Sequence, residues 1–319
     1  RPLLDLRWTD YDPVGRPRRM EDWSHYAQTA DGYYTLWEYD GRGQLKRIYR
    51  YAGDPGTNEA TYVYDESGNR IFETRLGFDS IRYVIRDSTN QILARVEYEL
   101  FPYIGLTIAT ELYSYDKAGQ LVADSLVGRR VTETVLADRM LRYFYDALGR
   151  LAGGTYRWRT YTSAGTVDTA QDTIHSRYDG LGRLISRHLP KKGQWYFIYD
   201  GPNVLSVGNL EILHGGGVDD PLIMFPSGPG ALCSEPAAYF QTHQGRFFYF
   251  HGAETGQDCT GMVPEWQFSG AIVRSDGFDL SRQGEDKTEL AYFRNRWYDA
   301  NTGRFTQEDP IGLAGGLNL

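Results

Sequence analysis

The chain has 319 residues, of which 41% are hydrophobic and 24% charged, and its formal net charge is −8. This length and hydrophobic content are sufficient to bury the core of one large domain or two ordinary domains. Nucleic acid is not expected as a partner, because phosphate binding needs clustered Lys and Arg, which the sequence does not show. No apolar run reaches the roughly eighteen residues of a membrane-spanning helix, so no membrane span is expected.

A five-residue phrase, Tyr-Asp-x-x-Gly, occurs six times along the chain, whereas the composition alone predicts roughly 0.4 copies by chance. An Asp carboxylate can accept backbone N–H groups two residues on, and Gly readily takes the positive φ of a tight reversal. We therefore predict that each copy is a β-hairpin corner. The copies comprise Tyr11, Asp12 and Gly15; Tyr39, Asp40 and Gly43; Tyr64, Asp65 and Gly68; Tyr115, Asp116 and Gly119; Tyr145, Asp146 and Gly149; and Tyr178, Asp179 and Gly182.

The segments between these turns have the alternation of β-strands. Leu141, Tyr143 and Tyr145 alternate with Arg142 and Phe144, and aromatic and β-branched residues fill many other strand positions. Because the copies are unevenly spaced, a continuous meander is favoured over propeller blades, whose period would be fixed. The predicted fold class is all-β: a hairpin meander that spirals into a curved sheet with one ring-rich, buried face.

The composition changes after a decayed copy of the phrase at Tyr199-Asp200-Gly201. Gly and Pro crowd between Gly208 and Pro236, and strand texture then returns towards the C-terminal end. We therefore divide the chain into a repeat region, residues 1–205, and a second region, residues 206–319. A degenerate repeat between Tyr83 and Val96 is expected within the first region.

Three patterns that suggest chemistry are better explained as structure. His214-Gly215-Gly216-Gly217 resembles an oxyanion-hole loop, but no Gly-x-Ser-x-Gly elbow accompanies it, and the neighbouring pair Asp219 and Asp220 would point to opposite strand faces. The second pattern is a zinc site that would use Cys233, His243, His251 and Cys259, but no Cys-x-x-Cys pair is present. The third is a calcium ladder of turn Asp residues, yet one carboxylate per hairpin cannot supply six oxygens. No metal or cofactor is therefore expected.

The repeat array resembles the YD repeats of the Rhs family, which also includes the C components of Tc toxins and the teneurin barrel. The stretch from His214 to Leu222 is similar to a phrase that follows these repeats. The stretch from Tyr292 to Leu319 resembles the Rhs-associated core signature nearly throughout. The resemblance implies a YD-repeat shell that ends in an Rhs-associated core region.

This resemblance also implies a function and a set of partners. The chain is expected to be a shell segment of a polymorphic toxin that encapsulates and helps to deliver a C-terminal effector of the same polypeptide. Secretion machinery and other shell components are further implied partners, and the implied location is secreted or cell-surface. The alternative is an adhesive surface module that binds glycans or proteins through exposed Tyr and Trp rings. A variable toxin domain downstream would distinguish the first hypothesis from the second.

Asp309 is the one catalytic candidate. In self-cleaving Rhs proteins, the Asp of this Asp-Pro-x-Gly phrase is thought to act with a second Asp further on, one carboxylate activating water while the other stays protonated. The numbered sequence stops at Leu319 before that second motif, so the chain is expected to be a fragment with half of an aspartyl autoprotease site and not to cut itself. Whether Asp309 is catalytic or caps the turn before Pro310 stays open, as does the pairing of Cys233 with Cys259.

Overall fold

A computed structural model describes the chain in segments. These are residues 6–22, 33–51, 58–75, 79–99, 106–130, 134–189, 193–208, 210–214, 221–226, 237–241, 247–250, 265–267, 271–273, 290–293, 296–299 and 302–309. The described residues form 25 β-strands and no helix, so none of them belongs to a helix that could cross a membrane. The prediction of an all-β fold is confirmed.

The chain divides into two compact units, one of Arg1–Leu112 with Leu126–Arg130 and the other of Tyr113–Ser125 with Val131–Leu319. Strands β9 and β10 contribute residues to both. The first ten strands are β1 Leu6–Tyr11, β2 Pro17–Asp22, β3 Tyr33–Tyr39, β4 Leu45–Tyr51, β5 Asn58–Tyr64, β6 Arg70–Arg75, β7 Asp79–Arg86, β8 Gln91–Glu99, β9 Leu106–Tyr115 and β10 Leu121–Arg130. The division near residue 205 rests on composition and stays a prediction.

The second unit contains the remaining strands. They are β11 Leu136–Tyr145, β12 Leu151–Thr162, β13 Gly165–Tyr178, β14 Leu184–Leu189, β15 Gly193–Asp200, β16 Asn203–Val207, β17 Leu210–His214, β18 Pro221–Pro226, β19 Ala237–Gln241, β20 Phe247–Phe250, β21 Glu265–Gln267, β22 Ala271–Val273, β23 Leu290–Phe293, β24 Arg296–Asp299 and β25 Arg304–Phe305. Most of the described residues that come after position 205 lie in these short strands.

Consecutive strands pair antiparallel along three stretches of the chain. This holds from β1 to β9 in the first unit. It holds again from β11 to β20 and, in a separate five-stranded sheet, from β21 to β25. Such sequential pairing is what a hairpin meander requires, because consecutive antiparallel strands can be joined by short turns.

Burial follows the strand alternation. In β11, Leu141 and Tyr143 are buried while Arg142 and Phe144 are exposed, as the sequence pattern predicts. The faces are not strictly apolar and polar, however. Arg95 of β8 is buried directly opposite Glu111 of β9, and the two side chains form an ion pair at 3.2 Å. A charge can be buried in this way because a cross-strand partner compensates for its lost hydration.

Candidate functional site: the turn ladder and the core segment

All six Tyr-Asp-x-x-Gly copies close hairpins in the same way. In each, the Gly has positive φ, from 74° at Gly149 to 87° at Gly68. The carboxylate Oδ1 of Asp146 accepts the backbone N–H of Leu148 at 2.9 Å and that of Arg150 at 3.0 Å. One carboxylate oxygen therefore satisfies two N–H groups that the reversal takes out of the ladder.

The second carboxylate oxygen holds the first side chain of the next strand. Oδ2 of Asp146 accepts from Arg150 Nε at 2.7 Å, and Asp179 accepts from Arg183 Nε at the same distance. Asn69 and Gln120 make the corresponding bond from their amide nitrogens to Asp65 and Asp116. The long polar residue after the Gly is thus a working part of the turn.

Successive turns are linked by tyrosine hydroxyl groups. Tyr145 donates to the carbonyl of Leu121 at 2.8 Å, and Tyr178 donates to that of Leu151 at 2.8 Å. In both cases the acceptor is the second residue after the Gly of the preceding turn. Tyr39, Tyr64 and Tyr199 make the same bond to Pro17, Leu45 and Leu184. We call this succession of linked turns the turn ladder.

Arginine side chains reinforce the turn ladder. The guanidinium of Arg150 lies 4.8 Å from the ring centroid of Tyr178, and Arg183 lies 4.8 Å from that of Tyr199. Arg16 stacks in the same way on Tyr39 at 4.4 Å. Each Arg therefore bonds to the Asp of its own turn and stacks on the Tyr of the next, which joins neighbouring turns by a cation–π contact.

The turn carboxylates should make stability depend on pH. Burial acts to raise the pKa of Asp146, but hydrogen bonds from the Arg150 and Leu148 backbone and the Arg150 side chain outweigh it and hold the pKa below its ordinary value of 3.8. A lowered pKa in the folded state means that this stabilisation is complete above the unfolded pKa and is lost as the pH falls through the folded one. We expect the melting temperature to decline below about pH 4.

The variant that tests this pH dependence is Asp146→Asn. Asparagine keeps an oxygen acceptor for the two N–H groups but carries no charge for Arg150, so the variant should be less stable than the parent near neutral pH. The difference in melting temperature between the two proteins should shrink at pH 3. A difference that stays constant from pH 7 to pH 3 would show that ionisation of Asp146 does not support the turn.

The turn Gly should matter more to stability than the turn Tyr. At Gly149, with φ of 74°, a valine would be forced into a conformation that costs about 1–3 kcal/mol or more, although the space for its Cβ is ordinary. Tyr145→Phe removes the hydrogen bonds of one hydroxyl group, at about 1 kcal/mol. Chemical denaturation should therefore give Gly149→Val a lower free energy of unfolding than Tyr145→Phe. The reverse order would contradict the importance of positive φ.

Strands β23 to β25 and the residues up to 309, which we call the core segment, bind along the turn ladder in the second unit. The hydroxyl group of Tyr292 donates to the Gly182 carbonyl at 3.2 Å and accepts from the Leu184 N–H at 3.2 Å. Trp297 Nε1 donates to the hydroxyl group of Tyr178 at 3.0 Å. The face of the Trp297 ring also stacks on Arg187, at 3.8 Å. The last turn of the repeat array is therefore held by two aromatic side chains of the core segment.

The end of the core segment reaches the two preceding turns. The Thr306 carbonyl accepts from the Leu121 N–H at 2.8 Å, while the Thr306 N–H donates to the Trp297 carbonyl at 2.7 Å. Gln307 Nε2 donates to the Gly149 carbonyl at 3.0 Å. Thr306 and Gln307 are both buried. The core segment thus contacts three successive turns, those that end at Gly182, Gly149 and Gly119.

Asp309 lies at the end of this contact, beside a cavity of about 500 Å³. Its Oδ2 is 3.0 Å from Arg296 Nη2, and the Arg296 guanidinium stacks on the ring of Phe305 at 3.6 Å. The carboxyl group is thus held by the core segment itself and faces two repeat turns. The cavity is lined by Ala118, Gln120, Leu148, Gly149, Arg150, Gln307, Glu308 and Asp309.

Among the other residues that the sequence singled out, His214 lies in the part of the chain that the structure describes. The His214 ring is bonded to the Val204 carbonyl through Nε2, at 2.6 Å, which ties β17 to β16. Residues 215–220, which contain the Gly tract and the Asp pair, lie outside the described residues. So do the four residues of the suggested zinc site, Cys233, His243, His251 and Cys259.

Sequence reasoning missed the main contacts of the site. It assigned no role to Tyr292, Trp297 or Gln307, and it treated the repeat Tyr as the end of a strand rather than as a donor to the preceding turn. One signal was present: a long polar residue recurs after the turn Gly, as at Arg16, Gln44, Gln120, Arg150 and Arg183. A recurring polar side chain at one position of a repeat indicates a repeated partner.

Comparison with known proteins gives toxins as relatives. The chain is 26% identical over 313 residues to double-stranded DNA deaminase toxin A of Burkholderia cenocepacia, with 81% of the chain covered, and 26% identical over 365 residues to toxin protein Tse5 of Pseudomonas aeruginosa, with 97% covered. It spans only 21% and 25% of the length of these curated relatives. No family model matches the sequence.

The solved structures that align with the chain are Tc toxin assemblies. The crystal structure of TcdB2-TccC3-TEV aligns with 99% of the chain and 21% of its own length, at a TM-score of 0.49 and 14% identity. The structure of a Photorhabdus luminescens Tc holotoxin pore aligns with 98% of the chain, at a TM-score of 0.30 and 13% identity.

The turn ladder, the sequential antiparallel pairing and the bound core segment define a YD-repeat β-sheet protein. The six copies of the repeat phrase and the two toxin relatives agree with the resemblance of this chain to the Rhs family.

Proposed function

We propose that this chain is a shell segment of an Rhs-type toxin, which encloses a C-terminal effector of the same polypeptide and helps to deliver it. The observation that supports this most is the turn ladder with the core segment bound along it. A sheet whose turns are joined by hydroxyl, carboxylate and cation–π contacts resists separation of its hairpins, and a container needs that property.

The same contacts argue against the adhesive alternative. A glycan-binding surface needs aromatic rings that are open to solvent. The repeat rings instead serve the ladder: Tyr145 and Tyr178 lie largely buried, and burial raises the pKa of both hydroxyl groups. In the part of the chain that the structure describes, the rings of Phe144 on β11 and Tyr196 on β15 are more than half exposed. These two rings lie on different strands.

Limited proteolysis of the natural full-length protein tests the container. In the unmodified protein, we expect the effector region to resist trypsin for longer than exposed linkers do. The variant Tyr292→Phe with Gln307→Leu keeps the packing volume of the core segment but removes its bonds to Gly182, Leu184 and Gly149. We expect this double variant to lose protection of the effector region at lower trypsin concentration.

Tyr196→Phe is the matched control, because Tyr196 is 62% exposed and lies away from the core segment contacts. It should digest like the unmodified protein. If the effector region of the unmodified protein is cut as fast as a linker, enclosure by this shell is wrong. If the double variant and the control digest alike, the core segment does not hold the shell closed.

We further propose that Asp309 supplies one of two carboxyl groups for self-cleavage in the full-length protein. Its support is the placement of the carboxyl group beside the cavity of about 500 Å³. Intact-mass analysis should find a discrete cleavage product in the natural protein and none in Asp309→Asn, with both proteins melting at similar temperatures. Glu308→Gln, in the same cavity, should cleave normally. Equal cleavage in all three would leave Asp309 with only its structural bond to Arg296.

A further inference from the structure

The hairpin of β12 and β13 has a long edge beside which the described part of the chain places no strand. β13 runs from Gly165 to Tyr178 and pairs with β12 along almost its whole length. On its other side, β14 pairs only with His175–Tyr178. Among the described residues, no strand lies beside the ten residues from Gly165 to Ile174 on that side. Such an edge presents backbone N–H and C=O groups at the spacing of a strand.

Two aspartates occupy this edge. The Asp168 carboxylate accepts from the backbone N–H of Thr169 at 2.8 Å, and the Asp172 carboxylate accepts from that of Thr173 at 2.7 Å. An N–H bonded to a side chain is not available to an incoming strand. The two carboxylates thus block strand addition by an uncharged segment, and charged edge residues commonly limit edge-to-edge association.

The spacing of the aspartates also disfavours antiparallel self-pairing in the register centred on Ala170. In an antiparallel pair of two β13 edges centred on Ala170, Asp168 of one copy lies opposite Asp172 of the other. Like charges directly opposite each other destabilise a cross-strand pair. A second copy of this chain is therefore disfavoured as the occupant of this edge.

We propose that the Gly165–Ile174 edge is a strand-addition surface for an extended basic segment with cationic side chains four positions apart. Residues 168 and 172 lie on one face of the strand, since side chains alternate. Cationic groups at matching positions draw both carboxylates away from Thr169 and Thr173. The released N–H groups then bond to the carbonyl groups of the incoming strand, as in recognition by β-augmentation.

The side chains around the edge determine which residues an incoming strand can carry. His188 Nε2 is 3.7 Å from Asp172 Oδ1, and the rings of His188 and His175 are 6.4 Å apart. Exposure of Thr169 and Gln171 leaves the opposite strand face open to uncharged residues. The occupant is therefore a segment with Lys or Arg on one face and Thr or Val on the other.

A labelled nonapeptide, Thr-Thr-Lys-Thr-Val-Thr-Lys-Thr-Thr, is the probe, and the same peptide with Glu in place of both Lys is its control. We expect fluorescence anisotropy to show that only the Lys peptide binds the whole chain, more weakly at high salt because the ion pairs are exposed. Hydrogen exchange should slow at amides within residues 166–174. Equal binding of the two peptides, binding of neither, or protection elsewhere overturns the proposal.

Two variants separate the charge from the edge. Asp168→Asn with Asp172→Asn should weaken binding of the Lys peptide about tenfold, the size expected from two exposed ion pairs. Asp87→Asn, at an exposed turn in the other unit, is the matched control and should bind like the parent. Thr169→Pro removes the edge N–H that bonds to the Asp168 side chain. This variant should abolish binding of the Lys peptide without lowering the melting temperature. Unchanged binding in either edge variant also overturns the proposal.

Discussion

Replacing Gly154 with alanine is expected to destabilise the protein by about 3 kcal/mol, because the new Cβ has no room. Gly154 lies in β12, between Tyr143 of β11 and Ile174 of β13. A Cβ at this position would lie 2.2 Å from the carbonyl oxygen of Arg142, which is a backbone atom. Relief therefore requires movement of a paired strand. Chemical denaturation should show a lower midpoint with a similar slope.

Gly180→Ala is the matched control for this variant. Gly180 is exposed in the turn after Tyr178, and nothing lies within 4 Å of a Cβ built there. We expect a change within about 0.5 kcal/mol, as for most surface substitutions. If Gly154→Ala costs as little stability as Gly180→Ala, β11 and β12 do not approach each other closely at this point.

Removing Arg139 should cost about 3–5 kcal/mol, because it leaves a buried carboxylate without its guanidinium. Arg139 Nη2 is 2.9 Å from Asp124 Oδ2, and both side chains are at most 10% exposed. Arg139→Met keeps much of the side-chain volume while it removes the charge. Urea denaturation at pH 7 is the measurement.

The double variant Arg139→Met with Asp124→Leu decides the cause of that loss. With both charges gone, neither member of the pair leaves an uncompensated charge, and replacement of a buried pair by apolar residues is often neutral or stabilising. We expect the double variant to be more stable than Arg139→Met alone. If the two single costs simply add in a double-mutant cycle, the pair is not coupled and packing explains the loss.

The hairpin corners were predictable from the sequence because their causes are local. The Asp146 carboxylate bonds to N–H groups two and four residues on, and the positive φ of Gly149 belongs to one residue. The degenerate repeat could be predicted for the same reason. There β7 and β8 form a hairpin in which Asn90, with φ of 55°, takes the place of Gly, since Asn tolerates this conformation.

The alternation of strands was also a local signal, and it predicted which of Leu141, Arg142, Tyr143 and Phe144 are buried. It could not predict buried charges. Arg95 and Glu111 occupy core-facing positions because each compensates the other across two strands. Such compensation depends on register, and a single strand's pattern does not contain the register of its neighbour.

The repeat phrase, its turns and the all-β class could therefore be predicted from local sequence. The contacts that join the turns and the position of Asp309 depend instead on residues that are far apart in the chain. The Tyr178 hydroxyl group bonds to a carbonyl 27 positions earlier, and Gln307 bonds to Gly149 across 158 positions. Those contacts form because the hairpin corners of the second unit lie close together, and the core segment bonds to carbonyl and N–H groups of these corners.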